Sequence, residues 1–272
     1  MMPESKNKPS AKGSYLSIHV HVNGLSFFTH NHLGRVSSIY REQFAHPVRP
    51  DNLHNLLLEA LKREKLVDSS FLEVRCSVEN NLATIVPKKL FEEASLKEYL
   101  HKDIDLKEND FITHDHLPHA DWVGVYVPYV NVNNMLLEQF GSFTYYHAAS
   151  VWIGALNTHT KADGEAVWGL YKEGSNLHIA LFRNKYLQYY SSFVASSPED
   201  VAYYVLLTAK ELNINPEEVP LYVAGSIAAE DEVYNELFPF VRSIHLLQPE
   251  SKLKFDVPQL QLHQDFCLLN LY

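Results

Sequence analysis

The chain has 272 residues, 46% of them hydrophobic, enough to bury a large core and to divide into two lobes. Its net charge of -10, with no lysine or arginine block, argues against a nucleic-acid surface, because phosphate binding needs clustered cations. No apolar run approaches the roughly 20 residues that span a bilayer, and Cys76 and Cys267, far apart and without metal-type spacing, point to reduced thiols.

Residues 1–14 are polar and lysine-bearing without an apolar core, so a disordered tail is expected in place of a secretion signal, and with it a cytoplasmic location. From Leu16 to Asn31 two runs of period-two alternation meet at Asn23-Gly24, a pair suited to a type I′ turn. A turn there sets Val22 opposite Leu25, Val20 opposite Phe27 and Ile18 opposite Thr29. Leu16, Ile18, Val20, Val22, Leu25 and Phe27 then share an apolar face, and Ser17, His19, His21, Ser26, Phe28 and His30 share the other.

A third strand over 35–41 completes a meander. Pro50-Asp51 opens a helix to about Lys65, with Leu53, Leu56, Leu57, Ala60 and Leu61 at helical spacing. Strands over 71–77 and 82–86 follow, the second stopped by Pro87, and helical spacing resumes over 90–100. Residues 111–129 read as strand, with 122–127 the strongest piece, and a helix over 130–140 ends at Gly141. A short strand at 143–146 and a helix over 148–156 lead to the polar stretch 157–165, where the lobe boundary is placed.

The second half repeats the first in outline. Strands over 166–171, 177–182 and 186–193 turn at Glu173-Gly174 and Asn184-Lys185. Ser197-Pro198-Glu199-Asp200 starts a helix, with both acids at its positive dipole end, where capping is favoured over acid–base work. A buried strand over 221–224, Gly225, a helix over 229–237 and a strand near 243–246 complete the order.

Two lobes, 15–160 and 161–272, that each open with a three-stranded antiparallel meander followed by helix and strand resemble the superfamily of actin, sugar kinases and heat-shock chaperone ATPases. The bacterial actin homologues of cell division and type IV pilus assembly are the nearest branch, and a degenerate bacterial family carrying a domain of unknown function is the nearest group within it. The Asn23-Gly24 hairpin, the run from Phe182-Arg-Asn-Lys-Tyr-Leu to Ser197-Pro-Glu-Asp, and Leu221-Tyr-Val-Ala-Gly-Ser carry the resemblance. It implies an α/β, two-lobed actin-like ATPase (ribonuclease H-like) fold.

In that superfamily the first hairpin turn of each lobe holds nucleotide phosphates through backbone amides, and an Asp at the end of each first strand orients magnesium and water. Here His19 stands at the Asp position and His21 at the Gly position, and neither replaces that chemistry. The matching window in the second lobe, Val167 to Lys172, holds no Asp, and its first acid is Glu173. The resemblance therefore implies that hydrolysis by the usual route is lost. The Gly-Gly pair that lies against adenosine is half-matched by Ala224-Gly225-Ser226, which leaves nucleotide binding open; otherwise Gly225 serves only a tight turn.

Two functional readings follow. The first is a non-catalytic binding or scaffold module with no cofactor, an unidentified protein partner and a possible homo-oligomer. The second is a nucleotide-binding ATPase or kinase with relocated acids, for which Asp163, Glu165 and Glu173 are the candidates. Any nucleotide would meet Asn23, Gly24, Ser26, Gly174, Ser175, Gly225 and Ser226. A third reading rests on Thr113-His-Asp-His-Leu-Pro-His-Ala-Asp121, where His114 and His116 share a strand face and His119 or Asp121 would complete a zinc set; solvated or hydrogen-bonded imidazoles are the plainer expectation. His19, His21 and His30 are likewise expected to be satisfied, partly buried imidazoles. No Gly-x-Ser-x-Gly elbow or supported cysteine nucleophile is present. The dense aromatic run Tyr186, Tyr189, Tyr190, Phe193, Tyr203 and Tyr204 is expected to be mostly core, with outward tyrosines available to a protein interface.

Overall fold

The computed structural model describes residues 13–101, 106, 107, 109–116, 120–160, 166–249, 253–255 and 262–271. Most of the expected tail, together with Asp163, Glu165 and His119, lies outside these residues, whereas Ser14 already belongs to the first strand.

Strands β1 (Ser14–His21), β2 (Gly24–Asn31) and β3 (Arg35–Gln43) form an antiparallel meander. Helix α1 (Leu53–Arg63) follows a 3-10 turn at Pro50–Asn52 and buries Leu53, Leu57, Ala60 and Leu61. Strand β4 (Glu73–Glu79) pairs parallel to β1. Between β4 and the next strand of this sheet lies a small antiparallel sheet made of β5 (Ala83–Pro87), β6 (Thr113–Asp115) and β7 (Trp122–Tyr126), with α2 (Leu96–His101) packed on it. Helix α2 is shorter than the spacing over 90–100 predicts. The Tyr99 hydroxyl accepts from the Glu92 N–H at 2.8 Å and donates to the Leu90 carbonyl at 2.8 Å, so the side chain takes the backbone groups a longer helix would use.

Helix α3 (Val130–Phe140) stops at Gly141 as expected, strand β8 (Thr144–His147) pairs parallel to β4, and α4 (Ala148–Thr158) leads to the second sheet. There β9 (Ala166–Glu173), β10 (Asn176–Arg183) and β11 (Tyr186–Val194) form another antiparallel meander. Helix α5 (Pro198–Glu211) begins with a reciprocal Ser197/Asp200 capping box, and β12 (Leu221–Gly225), α6 (Glu232–Leu237) and β13 (Ile244–Leu246) follow. The two sheets have the same plan, β3-β2-β1-β4-β8 and β11-β10-β9-β12-β13: a meander, then parallel strands added beside its first member.

The C-terminal residues cross back. Strand β14 (Lys254–Phe255) pairs parallel with β3, and α7 (Phe266–Leu269) packs on β1, α4 and β12, so this part of the expected second lobe completes the first sheet. Arg41 forks onto Asp265, and Arg75 donates to the Leu271 carbonyl at 2.5 Å.

The predicted faces of β1 and β2 hold. Leu16, Ile18, Val20, Leu25 and Phe27 pack with α1 and α3 in one core, while α5 and α6 cover the outer face of the second sheet around Trp168, Leu170, Ile179 and Val205. Helix α4 lies between the sheets, where Trp152, Ile153 and Leu156 join Tyr171, Ala180 and Phe182. The inner sheet faces carrying the polar residues of β1 and β9 therefore look toward each other. Among the described residues no helix is long and apolar enough to cross a membrane.

Candidate functional site

The site forms where β1 and β4 of the first sheet end against β9 and β10 of the second. On β1, His19 and His21 are two apart and share a face. The parallel register sets His19 beside Ser77 and His21 beside Glu79 on β4. From the opposite sheet Glu173 closes β9 and His178 lies on β10, one of the few polar side chains in an otherwise apolar strand.

Glu79 and His178 are fully buried, and Glu79 Oε1 lies 2.7 Å from His178 Nε2. The Asn176 amide donates to the same oxygen at 3.2 Å, and His178 Nδ1 lies 2.9 Å from the Tyr190 hydroxyl. Burial alone would raise the Glu79 pKa, but the adjoining His178 imidazole outweighs it and holds the carboxyl below its usual value. His147 Nδ1 accepts from the Ala149 N–H at 3.1 Å, so the proton is on Nε2, which donates to the Asn80 carbonyl at 3.1 Å. That ring stays neutral, since burial lowers its pKa to about 4.

His21 Nε2 lies 3.5 Å from Glu173 Oε1, again across the two sheets. Burial, aided by the neighbouring His21 ring, lowers the His19 pKa to about 4, and burial lowers that of His21 to about 4. Burial also raises the Glu173 carboxyl to about 7. The expectation of satisfied imidazoles fails for both histidines. His19 Nδ1 bonds Ser77 Oγ at 2.7 Å, but among the described residues His19 Nε2 and His21 Nδ1 are buried without a hydrogen-bond partner. His30 sits apart, stacked on Tyr15 with ring centroids 4.7 Å apart.

The expected nucleotide positions come together only in part, and both turns shift by one residue. His21 pairs with Gly24, so the first turn is Val22-Asn23, and neither Asn23 nor Gly24 has positive φ. The Val22 and Asn23 carbonyls accept from Val48 and Phe44 N–H at 2.7 and 2.8 Å, which pins this turn. A Cβ on Gly24 would come within 2.6 Å of the Glu42 carbonyl, so this glycine serves a close approach of β3. In the second hairpin Glu173 pairs with Asn176 and the turn is Gly174-Ser175, with Gly174 at φ +57°. The type I′ signature of two positive φ values occurs instead at Asn184-Lys185.

The two turns touch. A Cβ built on Gly174 would fall 2.2 Å from Asn23 Oδ1, so Asn23 occupies the space in front of the second turn. Ser26 pairs with His19 on β2, away from that contact. Gly225 and Ser226 lie beside Lys172, and their N–H groups are already committed, to the His263 carbonyl at 2.8 Å and the Lys172 carbonyl at 2.7 Å.

In the histidine loop His114 and His116 come side by side with ring centroids 4.9 Å apart, and His119 lies outside the described residues. His114 and His116 pack around Phe91 with ring centroids 5.0 and 5.4 Å away. Asp115, between them in sequence, is buried on the other side and accepts from the Tyr126 hydroxyl at 2.9 Å and the His147 N–H at 2.7 Å. Asp121 is exposed. Sequence reasoning missed Glu79, His147 and His178. A charged residue ending a strand and an imidazole within Leu177-His-Ile-Ala-Leu-Phe182 were the available signals.

Residues 4–244 match the family described as Protein of unknown function (DUF3822). The chain belongs to that family. No curated protein matches this DUF3822 chain in sequence. Among solved structures it is similar to a Bacteroides thetaiotaomicron protein with an actin-like ATPase fold and unknown function, at 20% identity and TM-score 0.78 over 87% of this chain and 91% of that one. It is also similar to the PilM-PilN type IV pilus biogenesis complex, at 12% identity and TM-score 0.58 over 94% and 96% of the two chains. A third likeness is to the ethanolamine utilization protein EutJ of Carboxydothermus hydrogenoformans, at 7% identity and TM-score 0.51 over 97% and 91%. These likenesses show the fold: this DUF3822 protein has the α/β actin-like ATPase fold.

Proposed function

We propose that this protein is a non-catalytic, actin-like binding module whose interlobe cleft is closed by its own side chains. The observation that carries the reading is the contact between the two hairpin turns, Asn23 against Gly174, where phosphates would have to enter. Imidazoles at 19 and 21 and the committed N–H groups of Gly225 and Ser226 point the same way. A protein partner fits the likeness to a component of the PilM-PilN complex. Tyr186 and Val194 on β11, the outer strand of the second sheet, and Tyr203 on α5 are 59%, 53% and 61% exposed, the kind of area that interfaces use.

The competing reading, an ATPase with relocated acids, draws support from the position of Glu173 in the cleft. Thermal unfolding with and without millimolar magnesium-ATP separates the two. A nucleotide at a hundred times its dissociation constant adds about 2.7 kcal/mol of stability. No shift is expected for the binding module, and a clear rise that disappears in an Asn23→Asp variant would replace it with the nucleotide reading.

A further inference from the structure

One ring nitrogen each of His19 and His21 and one carboxylate oxygen of Glu173 lie within 4.8 Å of one another. All three residues are at least nine-tenths buried, at 5%, 7% and 8% exposure. The His19 ring is fixed by its bond to Ser77 Oγ, and its Nε2 has no partner among the described residues, an arrangement that is costly for a buried nitrogen unless something else engages it. We propose that His19, His21 and Glu173 form a binding site for one divalent transition-metal ion of the zinc class, held between the two lobes.

Two imidazoles and one carboxylate suit zinc, cobalt or ferrous ions and disfavour magnesium, which seeks oxygen ligands and keeps its waters. Bonds of about 2.0–2.1 Å in a tetrahedral site place ligand atoms roughly 3.4 Å apart, so coordination requires the set to draw in by about an ångström or slightly more. His21 Nε2 and Glu173 Oε1, which come from β1 and β9, are already 3.5 Å apart, so an ion there would bridge the two sheets. Glu79, beside His21 in the register, adds negative charge behind the imidazoles. The metal would therefore act as a clasp between lobes. This inference does not depend on the absence of nucleotide binding.

The test uses full-length protein stripped with chelator and dialysed. Cobalt(II) is titrated with the visible d–d absorption as readout, and zinc competition gives affinity and stoichiometry. One equivalent of cobalt with a low-symmetry band, displaced by zinc and unaffected by millimolar magnesium, is expected. Glu173→Gln and His19→Asn, checked for native circular dichroism, should each weaken binding by more than about a hundredfold, and Ser77→Ala by about tenfold. His114→Ala/His116→Ala should bind like wild type. If Glu173→Gln and His19→Asn proteins that remain folded bind as wild type does, or if the wild type takes up no stoichiometric cobalt, the site is overturned. Should His19→Asn fail to fold, Glu173→Gln alone decides, since it preserves shape.

Discussion

Glu79 and His178 meet 2.7 Å apart with neither side chain exposed, one from the fourth strand of the first sheet and the other from the second strand of the second. Such a contact ties the two lobes to each other. Removing one partner of a buried pair typically costs about 3–5 kcal/mol, because the other is left without compensation. His178→Ala should lie in that range, since Glu79 Oε2 already has no partner among the described residues and Oε1 would keep only Asn176. Glu79→Ala should cost less, as His178 retains Tyr190. Urea unfolding of both single variants and the double variant measures the coupling, and additive losses would mean that the two side chains do not act as a pair.

The turn contact makes a second prediction. Ala at position 174 must take φ +57° and place its Cβ 2.2 Å from the end of the Asn23 side chain. The φ term costs about 1–2 kcal/mol and the clash adds to it. Asn23→Ala in the same chain should recover the steric part and leave the φ part. Gly225→Ala has no such rescue: at φ +88° its Cβ would meet the Lys172 carbonyl oxygen at 2.1 Å, which is backbone. It should cost about 3 kcal/mol or more, and thermal melts of the three variants rank the effects.

Why the outline was legible and the site only half so follows from period and register. The alternation of Leu16, Ile18 and Val20 is a local signal, and it put His19 and His21 correctly on the inner face. The turn positions were missed because Asn23-Gly24 carries a strong local preference that the segment after β3 overrides through the Phe44 and Val48 N–H groups. The pairing of His21 with Glu173, or of Glu79 with His178, joins residues about a hundred or more positions apart, and no spacing in one sequence encodes it. The histidine loop shows the converse: His114 and His116, close in sequence, lie side by side with ring centroids 4.9 Å apart, a local relation that alternation alone predicts.

Acid dependence should separate two groups that touch. Burial raises Asp115 from its ordinary 3.8 to about 7, so between those values the folded protein holds a proton that the unfolded chain releases. Its contribution to stability is present below pH 3.8 and is lost as pH rises to 7, on the order of 4 kcal/mol at the limit. His147 runs the other way. With a pKa lowered from 6.5 to about 4, its contribution is full above 6.5 and is lost as pH falls to 4, on the order of 3 kcal/mol. Compared with wild type across pH 4.5 to 7.5, Asp115→Asn should gain relative stability with rising pH and His147→Asn should lose it. Parallel profiles for wild type and both variants would show that neither group titrates differently on folding.

Thiol labelling reports how the C-terminal segment is held. Cys76 and Cys267 are both buried, and burial pushes the Cys76 thiol up to about 12 and Cys267 well above its usual value, so neither should react in the native protein at pH 8. Their routes to exposure differ. Cys76 lies in the first-sheet core among Ile18, Val78 and Leu57, and reaching it requires the sheet to open. Cys267 lies on the four-residue α7, which Arg41 and Arg75 anchor through Asp265 and the Leu271 carbonyl. A four-residue helix, though buried, has fewer backbone hydrogen bonds to break than the central sheet that holds Cys76, so Cys267 should be modified first as denaturant is raised. Asp265→Ala removes the fork to Arg41 and should accelerate Cys267 labelling several-fold while leaving Cys76 unchanged. Mass spectrometry of alkylated peptides assigns each rate, and equal acceleration at both thiols would mean that the segment opens only when the whole protein unfolds.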